Sequence, residues 1–308
     1  MEGVFSEKTG KGIAVNTRIL TTEFKYFVPR TLREALTLID RNGPNARVIA
    51  GGTDLLVQMK LEVISPDCLI NIMKIPELNF IKMEKGSLRI GATAKWSEIL
   101  EFCSRDRKHA ALYEAVRSLG KVQVRHMGTI GGNLCSASPA ADSAPALLVY
   151  NGRVKLVRAR GERILPLDKY FKGVNETVKT AQELMTEIRI PSIRNGLGSA
   201  FKKLTRVGTD ISKISCAVAI VRKGRVCVSC RVAMGAVAPV PMRMRGAEEL
   251  MDGEKVEASL VEEMGHRISA EIQPITDIRS TAEYRRQVAV VLFKDVFWMA
   301  WKRAGGEE

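Results

Sequence analysis

Two stretches of this 308-residue chain decide its fold: ARVIAGGTDL at residues 46 to 55 and HMGTIGGNLC at residues 126 to 135. Each places a pair of glycines just after a short apolar stretch and just before a small polar residue. Consecutive glycines present successive backbone N–H groups with no side chain in front of them, and concave strings of N–H dipoles bind phosphate. The same pattern also fits two ordinary tight turns, and both interpretations stay open at this point.

The surrounding sequence excludes the common nucleotide motifs. A Rossmann site needs G-x-G-x-x-G and a P-loop needs G-x-x-x-x-G-K-[ST], and the chain contains neither. Thr31 and Glu34 predict a capping box for a helix that stops at Gly43. ARVIA then predicts a strand and LLVQMK a helix, SLRIGATAKWSEIL a strand followed by a helix from near Lys95, and a further helix covers about residues 107 to 119.

Beyond residue 150 the pattern changes to paired strands, with RVKLV, ILPL and ELMTEIRIP. Pro191 and RNGLG mark a boundary. After it, ISKISCAVAIV and RVCVSCRVAM predict an antiparallel hairpin around the turn RKG. Helices are expected near residues 256 to 270 and from Ser280 onward, where Ser280 and Glu283 predict another capping box.

The six cysteines do not form a disulfide framework. Cys227 and Cys230 are the only close pair, and because successive side chains of a strand alternate between its faces, we expect these two to point to opposite faces. A local disulfide or a shared metal is therefore not expected there. With only three histidines and no further clustered thiols, no zinc site or iron–sulfur cluster can be assembled from this chain.

The net charge of +14 is concentrated in one window. Residues 194 to 245 contain eleven Lys/Arg residues against one acid, Asp210, so the window carries 11 − 1 = +10. Such a window can bind nucleic acid, an anionic cofactor or an acidic partner, or can simply be a solvated face. No aromatic residues interleave with its charges in the way that single-stranded nucleic acid binding requires.

The apolar runs are short. The longest, residues 216 to 221 and 288 to 293, fall far below the roughly 20 residues of a membrane-spanning helix. The first twenty-odd residues mix charges and glycines where a secretory signal would have an unbroken apolar region. We therefore expect a cytoplasmic protein without a transmembrane segment.

The sequence around and beyond these motifs resembles a known family. RVIAGGTDLLVQMK, IPEL, LRIGATAKWSEI, VQVRHMGTIGGNLCSASPAADSAPALL, FKKLTRVGTDISKIS and PITDIRSTAEYRR together resemble the FAD-binding medium subunit of the molybdenum hydroxylases, the family of xanthine dehydrogenase and aerobic carbon monoxide dehydrogenase. The resemblance runs from about Phe24 to the C-terminus. It implies an α+β architecture: a vanillyl-alcohol-oxidase-like (PCMH-type) FAD-binding fold of two α+β subdomains, then a small α+β domain with an antiparallel sheet and helices.

The implied domains are an N-terminal extension (residues 1–22), an FAD-binding domain (23–195, with subdomains of about 23–76 and 77–195) and a C-terminal domain (196–308). The resemblance also implies a set of cofactor-binding residues and no catalytic or metal-binding side chain. The two glycine motifs would surround the FAD pyrophosphate, Asp142 would hold the ribityl or phosphate end, and Lys202 would point at the flavin. The full set is Arg47, Val48, Ile49, Ala50, Gly51, Gly52, Thr53, Asp54, Leu55, Leu119, Gly120, Thr129, Ile130, Gly131, Gly132, Asn133, Asp142, Leu184, Met185 and Lys202.

The match departs from the family at Leu119, where the mammalian type has an aromatic residue. Leu119 and Gly120 correspond to positions that pack near the cofactor, and Leu184 and Met185 to the segment beside the isoalloxazine or adenine.

The resemblance implies an electron-transfer subunit with non-covalent FAD. It would take electrons from the [2Fe-2S] clusters of a small subunit, in a complex whose large subunit holds the molybdenum cofactor, and pass them to an acceptor such as NAD or a quinone. A dimer of heterotrimers is the expected assembly. A stand-alone flavin oxidoreductase of the same fold is the alternative enzyme. A nucleic-acid-binding protein would explain the basic window but would leave both glycine motifs unexplained, so we expect no nucleic acid partner.

Overall fold

The computed structural model describes Leu20 and residues 23 to 306; the rest of the predicted N-terminal extension lies outside this range. Its first unit is a small parallel sheet in the order β1-β3-β2. The Thr31 hydroxyl accepts the N–H of Glu34 at 3.2 Å, so the predicted start of α1 is confirmed. The elements are β1 (Lys25–Phe27), α1 (Leu32–Asn42), β2 (Ala46–Ile49), α2 (Leu55–Lys60) and β3 (Cys68–Asn71).

The second unit is a five-stranded antiparallel sheet in the order β4-β5-β10-β6-β7. Between its second and third strands in sequence, the chain forms five helices that cover the sheet with a large apolar core. The elements are β4 (Ile81–Glu84), β5 (Ser87–Gly91), α3 (Trp96–Ser104), α4 (Ala110–Ser118), α5 (Val122–Met127), α6 (Ile130–Ser136), α7 (Ser143–Val149), β6 (Arg153–Arg158), β7 (Gly161–Pro166), the small pair β8 (Phe171–Gly173) and β9 (Glu176–Thr177), and β10 (Leu184–Ile190).

The third unit is a four-stranded antiparallel sheet in the order β11-β12-β13-β14 with helices of its own. The predicted hairpin is confirmed as β12 and β13. The elements are β11 (Leu197–Leu204), β12 (Ile214–Lys223), β13 (Val226–Gly235), β14 (Met242–Arg243), α8 (Arg245–Glu248), α9 (Ala258–Glu271) and α10 (Ala282–Ala304).

The third sheet is buried on both faces. On β11, Gly198 packs against α10 so closely that a Cβ there would lie 2.1 Å from the Ala300 carbonyl oxygen. The next residue, Ser199, faces the other way, and its hydroxyl lies 2.6 Å from the hydroxyl of Tyr150 in the second unit. Phe201 and Ala217 accordingly belong to the core of the second unit. The second and third units are therefore joined by a shared apolar core.

The expectation for the cysteine pair was wrong. Cys227 and Cys230 are both buried in the apolar core between the third sheet and its helices, so their side chains lie on the same face. The cause is a β-bulge: Val221 pairs with Ser229 but the next residue, Arg222, pairs with Cys227, which leaves Val228 as an extra residue. An extra residue shifts the alternation by one, so an i, i+3 pair reaches the same face.

The predicted capping box at the last helix was wrong by one position. Thr281, not Ser280, is the N-cap of α10, and its hydroxyl accepts the N–H of Tyr284 at 3.2 Å. The N–H of Ser280 instead donates to the Asp277 carbonyl in the preceding turn. Across residues 23 to 306, no helix is both long and apolar enough to cross a membrane.

Candidate functional site

The first glycine motif connects strand β2 to helix α2. The chain bends through Ala50 to Asp54, and Gly52 has a φ of 69°, which glycine adopts without strain. Within the described part of the chain, the five consecutive N–H groups of residues 50 to 54 donate to no protein acceptor. Because β2 is an edge strand of its sheet, these donors are not covered by a neighbouring strand. The motif therefore presents a continuous row of donors, as an anion site requires.

The first motif packs directly on the segment that leads into the second. A Cβ on Gly51 would lie 1.9 Å from the carbonyl oxygen of Met127 and 2.9 Å from the Cα of Gly128. The Ser136 hydroxyl, on the helix of the second motif, donates to Asp54 at 2.5 Å. The two motifs, far apart in sequence, thus form one site.

The second motif differs from the expected open loop. Thr129 is the N-cap of α6, so Gly131 and Gly132 lie in the first turn of a helix. The N–H groups here are already used: those of Ile130 and Gly131 donate to carbonyls of the segment before α3, and that of Gly132 to the Thr129 hydroxyl at 3.2 Å. The expectation of a second row of free N–H donors was therefore wrong, because the motif starts a helix.

The two glycines of the second motif have different tasks. A Cβ on Gly131 would lie 2.6 Å from the Ala92 carbonyl oxygen, so this glycine permits close packing in the interior. Gly132 is exposed, and a Cβ there would meet only the Thr129 hydroxyl, at 3.0 Å. Gly132 therefore leaves an accessible backbone surface beside the first motif.

Asp142 lies close to the second motif but is bound by the C-terminal unit. The hydroxyl of Ser143, its neighbour, donates to the side chain of Asn133 at 2.6 Å. The carboxylate of Asp142 accepts from Lys203 at 2.6 Å and from Ser212 at 2.5 Å. Burial raises the pKa of the Asp142 carboxyl, and these two donors oppose the rise by stabilising the carboxylate. A direct contact between Asp142 and the cofactor stays a prediction.

The structure does not bring Lys202 to this site. Lys202 lies on the face of β11 that packs against α10, where its ammonium is 3.2 Å from Asp295. Lys203, the next residue, lies on the other face and reaches Asp142. Because strand side chains alternate, only one of two neighbouring lysines can face the second unit. Sequence reasoning missed Lys203 and also the hydroxyls of Ser136 and Ser212.

The flanking residues of the predicted set lie near the motifs, mostly as packing groups. Leu119 and Gly120 precede α5, and the Arg125 guanidinium donates to both of their carbonyls, at 3.0 and 2.8 Å. Leu184 belongs to the core of the first unit and Met185 to that of the second, and both are buried. Their contact with a flavin stays a prediction.

The residues around the first motif are arranged in the same way. Ile49 is buried and Val48 and Leu55 are half-buried; Val48 packs in one apolar cluster of the first unit, and Ile49 and Leu55 pack in another. The guanidinium of Arg47 donates to the Pro44 carbonyl at 2.7 Å. Thr53 and Asp54 are exposed.

Two known domain families match the chain. The family described as the FAD binding domain in molybdopterin dehydrogenase matches residues 22–193, and the CO dehydrogenase flavoprotein C-terminal domain matches residues 199–300. The chain is similar to the glyceraldehyde dehydrogenase medium chain of Sulfolobus acidocaldarius, with 34% identity over 89% of this chain and 97% of the relative. It is 30% identical to the carbon monoxide dehydrogenase medium chain of Hydrogenophaga pseudoflava, over 92% of this chain and 99% of that one.

A solved structure gives the same result in three dimensions. It is the carbon monoxide dehydrogenase from Hydrogenophaga pseudoflava that lacks the Mo-pyranopterin moiety of its molybdenum cofactor. One of its chains superimposes with a TM-score of 0.88 at 32% identity, covering 92% of this chain and 99% of that chain. The predicted family and fold are therefore confirmed. This chain belongs to the family of FAD-binding medium subunits of the molybdenum hydroxylases.

Proposed function

We propose that this chain binds FAD non-covalently at its glycine motifs and serves as the electron-transfer subunit of a molybdenum hydroxylase complex. The observation that carries the proposal is the row of five N–H groups at residues 50 to 54, which have no acceptor among the described residues and lie beside the segment that leads into the second motif. The donors suit the negative charge of a pyrophosphate, and the exposed Gly132 lets the phosphates approach the backbone. Bound there, FAD supplies the ability to accept two electrons and release them to an acceptor.

The protein's own residues bind and orient the cofactor. The N–H groups of residues 50 to 54 would hold one phosphate, while Asp54 and Ser136 fix the distance between the two motifs through their hydrogen bond. Asp142, held by Lys203 and Ser212, would keep acceptor capacity for a hydroxyl of the ribityl chain, since a carboxylate can accept about four hydrogen bonds.

The proposed partners are a large subunit with the molybdenum cofactor and a small subunit with two [2Fe-2S] clusters, assembled as a dimer of heterotrimers. The proposal rests on the relatives, which are medium chains of enzymes such as carbon monoxide dehydrogenase. Electrons would enter from the clusters and leave to NAD or a quinone. The large subunit would select the substrate of the complex. The cytoplasmic location of this chain stays a prediction.

The basic window contributes less to partner docking than its charge indicates. Acids from outside the window neutralise much of it: Lys202 pairs with Asp295, Lys203 with Asp142, Arg243 with Glu248 and Arg245 with Asp168. Arg206 pairs with Asp210, Lys213 lies over the ring of Tyr284, and Arg222 lies over that of Trp301. Folding therefore uses seven of the eleven cations.

Gly132→Ala tests the cofactor site. We expect FAD affinity to fall by about tenfold or more, since roughly 1.4 kcal/mol of lost contact corresponds to a factor of ten. Gly208→Ala is the matched control, because a Cβ at Gly208 meets no atom within 4 Å. Both proteins should unfold at nearly the wild-type temperature. Equal FAD dissociation constants for the two variants would contradict the proposed pyrophosphate position.

Co-expression with the neighbouring subunits tests the electron-transfer role. We expect a complex that contains molybdenum, iron and FAD and in which substrate reduces the flavin through the clusters. The isolated FAD-loaded chain should oxidise none of the substrates of the complex. Rapid bleaching of the flavin by substrate in the isolated chain would instead support the stand-alone oxidoreductase.

A further inference from the structure

A cavity lies away from the glycine motifs, at the seam between the second and third units. Its volume is about 330 Å³, at the low end of the range of roughly 300 to 1,000 Å³ for small-molecule sites. The second unit contributes the start of β6 and the turn after β7, and the third contributes β14 and α8. Its polar lining consists of Asn151, Arg153, Asp168, Lys169, Arg243 and Arg245.

The lining has an excess of positive charge. Four cations line the cavity against one acid, Asp168, and Glu248 lies behind the wall, paired with Arg243 at a buried position. Counting all six groups, the charge is 4 − 2 = +2. Arg153 and Lys169 are exposed at the cavity, and no acid pairs with either in the part of the chain that the structure describes. Two cations are therefore free to bind a ligand.

Arg231, a half-buried arginine close to Arg243 of the cavity wall, adds to the imbalance. Arg231 lies on β13, two residues before Ala233, which is the register partner of Arg243 on β14. Residues two apart on a strand share a face, so the guanidinium of Arg231 lies on the same side of the sheet as Arg243. Its Nε is buried and has no hydrogen-bond partner within the described residues. Burial and the neighbouring Arg243 lower the pKa of Arg231.

A half-buried guanidinium whose buried Nε has no partner among the described residues, next to further arginines, is costly unless an anion compensates it. We propose that this cavity, here called the seam site, binds a small phosphate-bearing anion that joins the second and third units. Arginine forks match the geometry of phosphate oxygens and bind them with charge-assisted hydrogen bonds. Asn151 contributes as well, because its side-chain oxygen already accepts from Arg243 at 3.0 Å and leaves the amide N–H groups for a ligand.

The test uses the full chain loaded with FAD, so that phosphate cannot occupy the N–H groups of the first glycine motif. Inorganic phosphate is titrated by calorimetry and by thermal unfolding, with chloride replacing it at equal ionic strength as the reference. We expect saturable phosphate binding and a rise of the unfolding temperature that chloride does not reproduce. Glycerol 3-phosphate in a parallel titration distinguishes a phosphate ester from free phosphate, by which of the two binds more tightly.

Three variants decide the assignment. R153Q/K169Q should weaken phosphate binding by about tenfold or more, since each cation supplies a charge-assisted hydrogen bond. Lys255→Gln, an exposed lysine elsewhere in the third unit, is the control and should bind as the wild type does. Arg231→Met should raise the unfolding temperature in chloride, because it removes a half-buried charge that lies beside Arg243, and should reduce the phosphate-dependent rise. Non-saturable binding, or equal binding by all three variants, would overturn the proposal.

Discussion

Replacing Lys203 with methionine tests the contact that joins the cofactor-binding units to the C-terminal unit. The side chains of Lys203 and Asp142 are only 5% and 8% exposed and meet at 2.6 Å. Methionine keeps most of the length and volume but removes the charge, so Asp142 remains as a buried carboxylate whose only described donor is the Ser212 hydroxyl. Removing one partner of a buried ion pair costs about 3 to 5 kcal/mol. We expect the free energy of unfolding in urea to fall by that amount.

The adjacent lysine is the matched control. Lys202 pairs with Asp295 at 3.2 Å, but the two side chains are 45% and 58% exposed. Exposed pairs contribute about 0 to 1 kcal/mol, so Lys202→Met should unfold nearly as the wild type does. The double variant K203M/D142N should recover much of the loss, because asparagine leaves no buried charge. Equal, small losses for Lys203→Met and Lys202→Met, with no recovery in the double variant, would refute the buried pair.

The same variant has a predictable pH dependence. Burial already raises the pKa of Asp142 above its ordinary value, and loss of Lys203 removes an opposing effect, so the pKa in the folded chain rises further. Between the unfolded and the folded pKa, the folded state then binds more protons than the unfolded state. Stability therefore falls as the pH rises through that window, and more steeply in Lys203→Met than in the wild type. Urea unfolding at about pH 5 and about pH 8 measures the difference.

Two further predictions concern packing. Gly198→Ala should lower the free energy of unfolding by more than the roughly 1 to 3 kcal/mol usual for overpacking. The reason is that its Cβ would lie 2.1 Å from the Ala300 oxygen and 2.2 Å from the Ala304 nitrogen. Urea unfolding measures the loss, and a loss below about 1 kcal/mol would contradict the close contact. The native chain should react hardly at all with a thiol reagent at neutral pH, and all six cysteines should react once the chain unfolds. Burial, for example, raises the pKa of Cys103 to about 12. Rapid modification of Cys227 or Cys230 in the native chain would refute this prediction.

Much of the fold was predictable because local signals agree with the tertiary structure. The capping residue Thr31, the strand before Gly51 and the hairpin around RKG all lie where the sequence predicts them. In each case a short-range cause, such as a side-chain cap or an apolar period, acts within a few residues. The family resemblance then supplied what short-range signals do not contain, namely that the two glycine motifs form one site.

The errors have a common physical cause, which is that side-chain direction depends on register. One extra residue at Val228 brings Cys227 and Cys230 to the same face, and no property of RVCVSC marks the position of that bulge. The choice between Lys202 and Lys203 depends on which face of β11 meets α10. A sequence pattern shows that side chains alternate along a strand but not which of them face the core. The position of a site residue on a strand is therefore uncertain by one residue until the packing of the strand against a neighbouring element is known.

The choice of which β11 side chains face the second unit also determines how the C-terminal unit contacts the glycine motifs. With Ser199, Phe201 and Lys203 facing the second unit, one face of this strand contributes a hydroxyl to Tyr150, a ring to the shared core and a cation to Asp142. Asp142 in turn adjoins Ser143, which binds Asn133 of the second glycine motif. Two hydrogen bonds, joined by the neighbouring residues Asp142 and Ser143, therefore connect the third sheet to the second glycine motif. The sequence matches divide the chain at residues 193 to 199, whereas the shared apolar core and these contacts join the two parts at the second glycine motif.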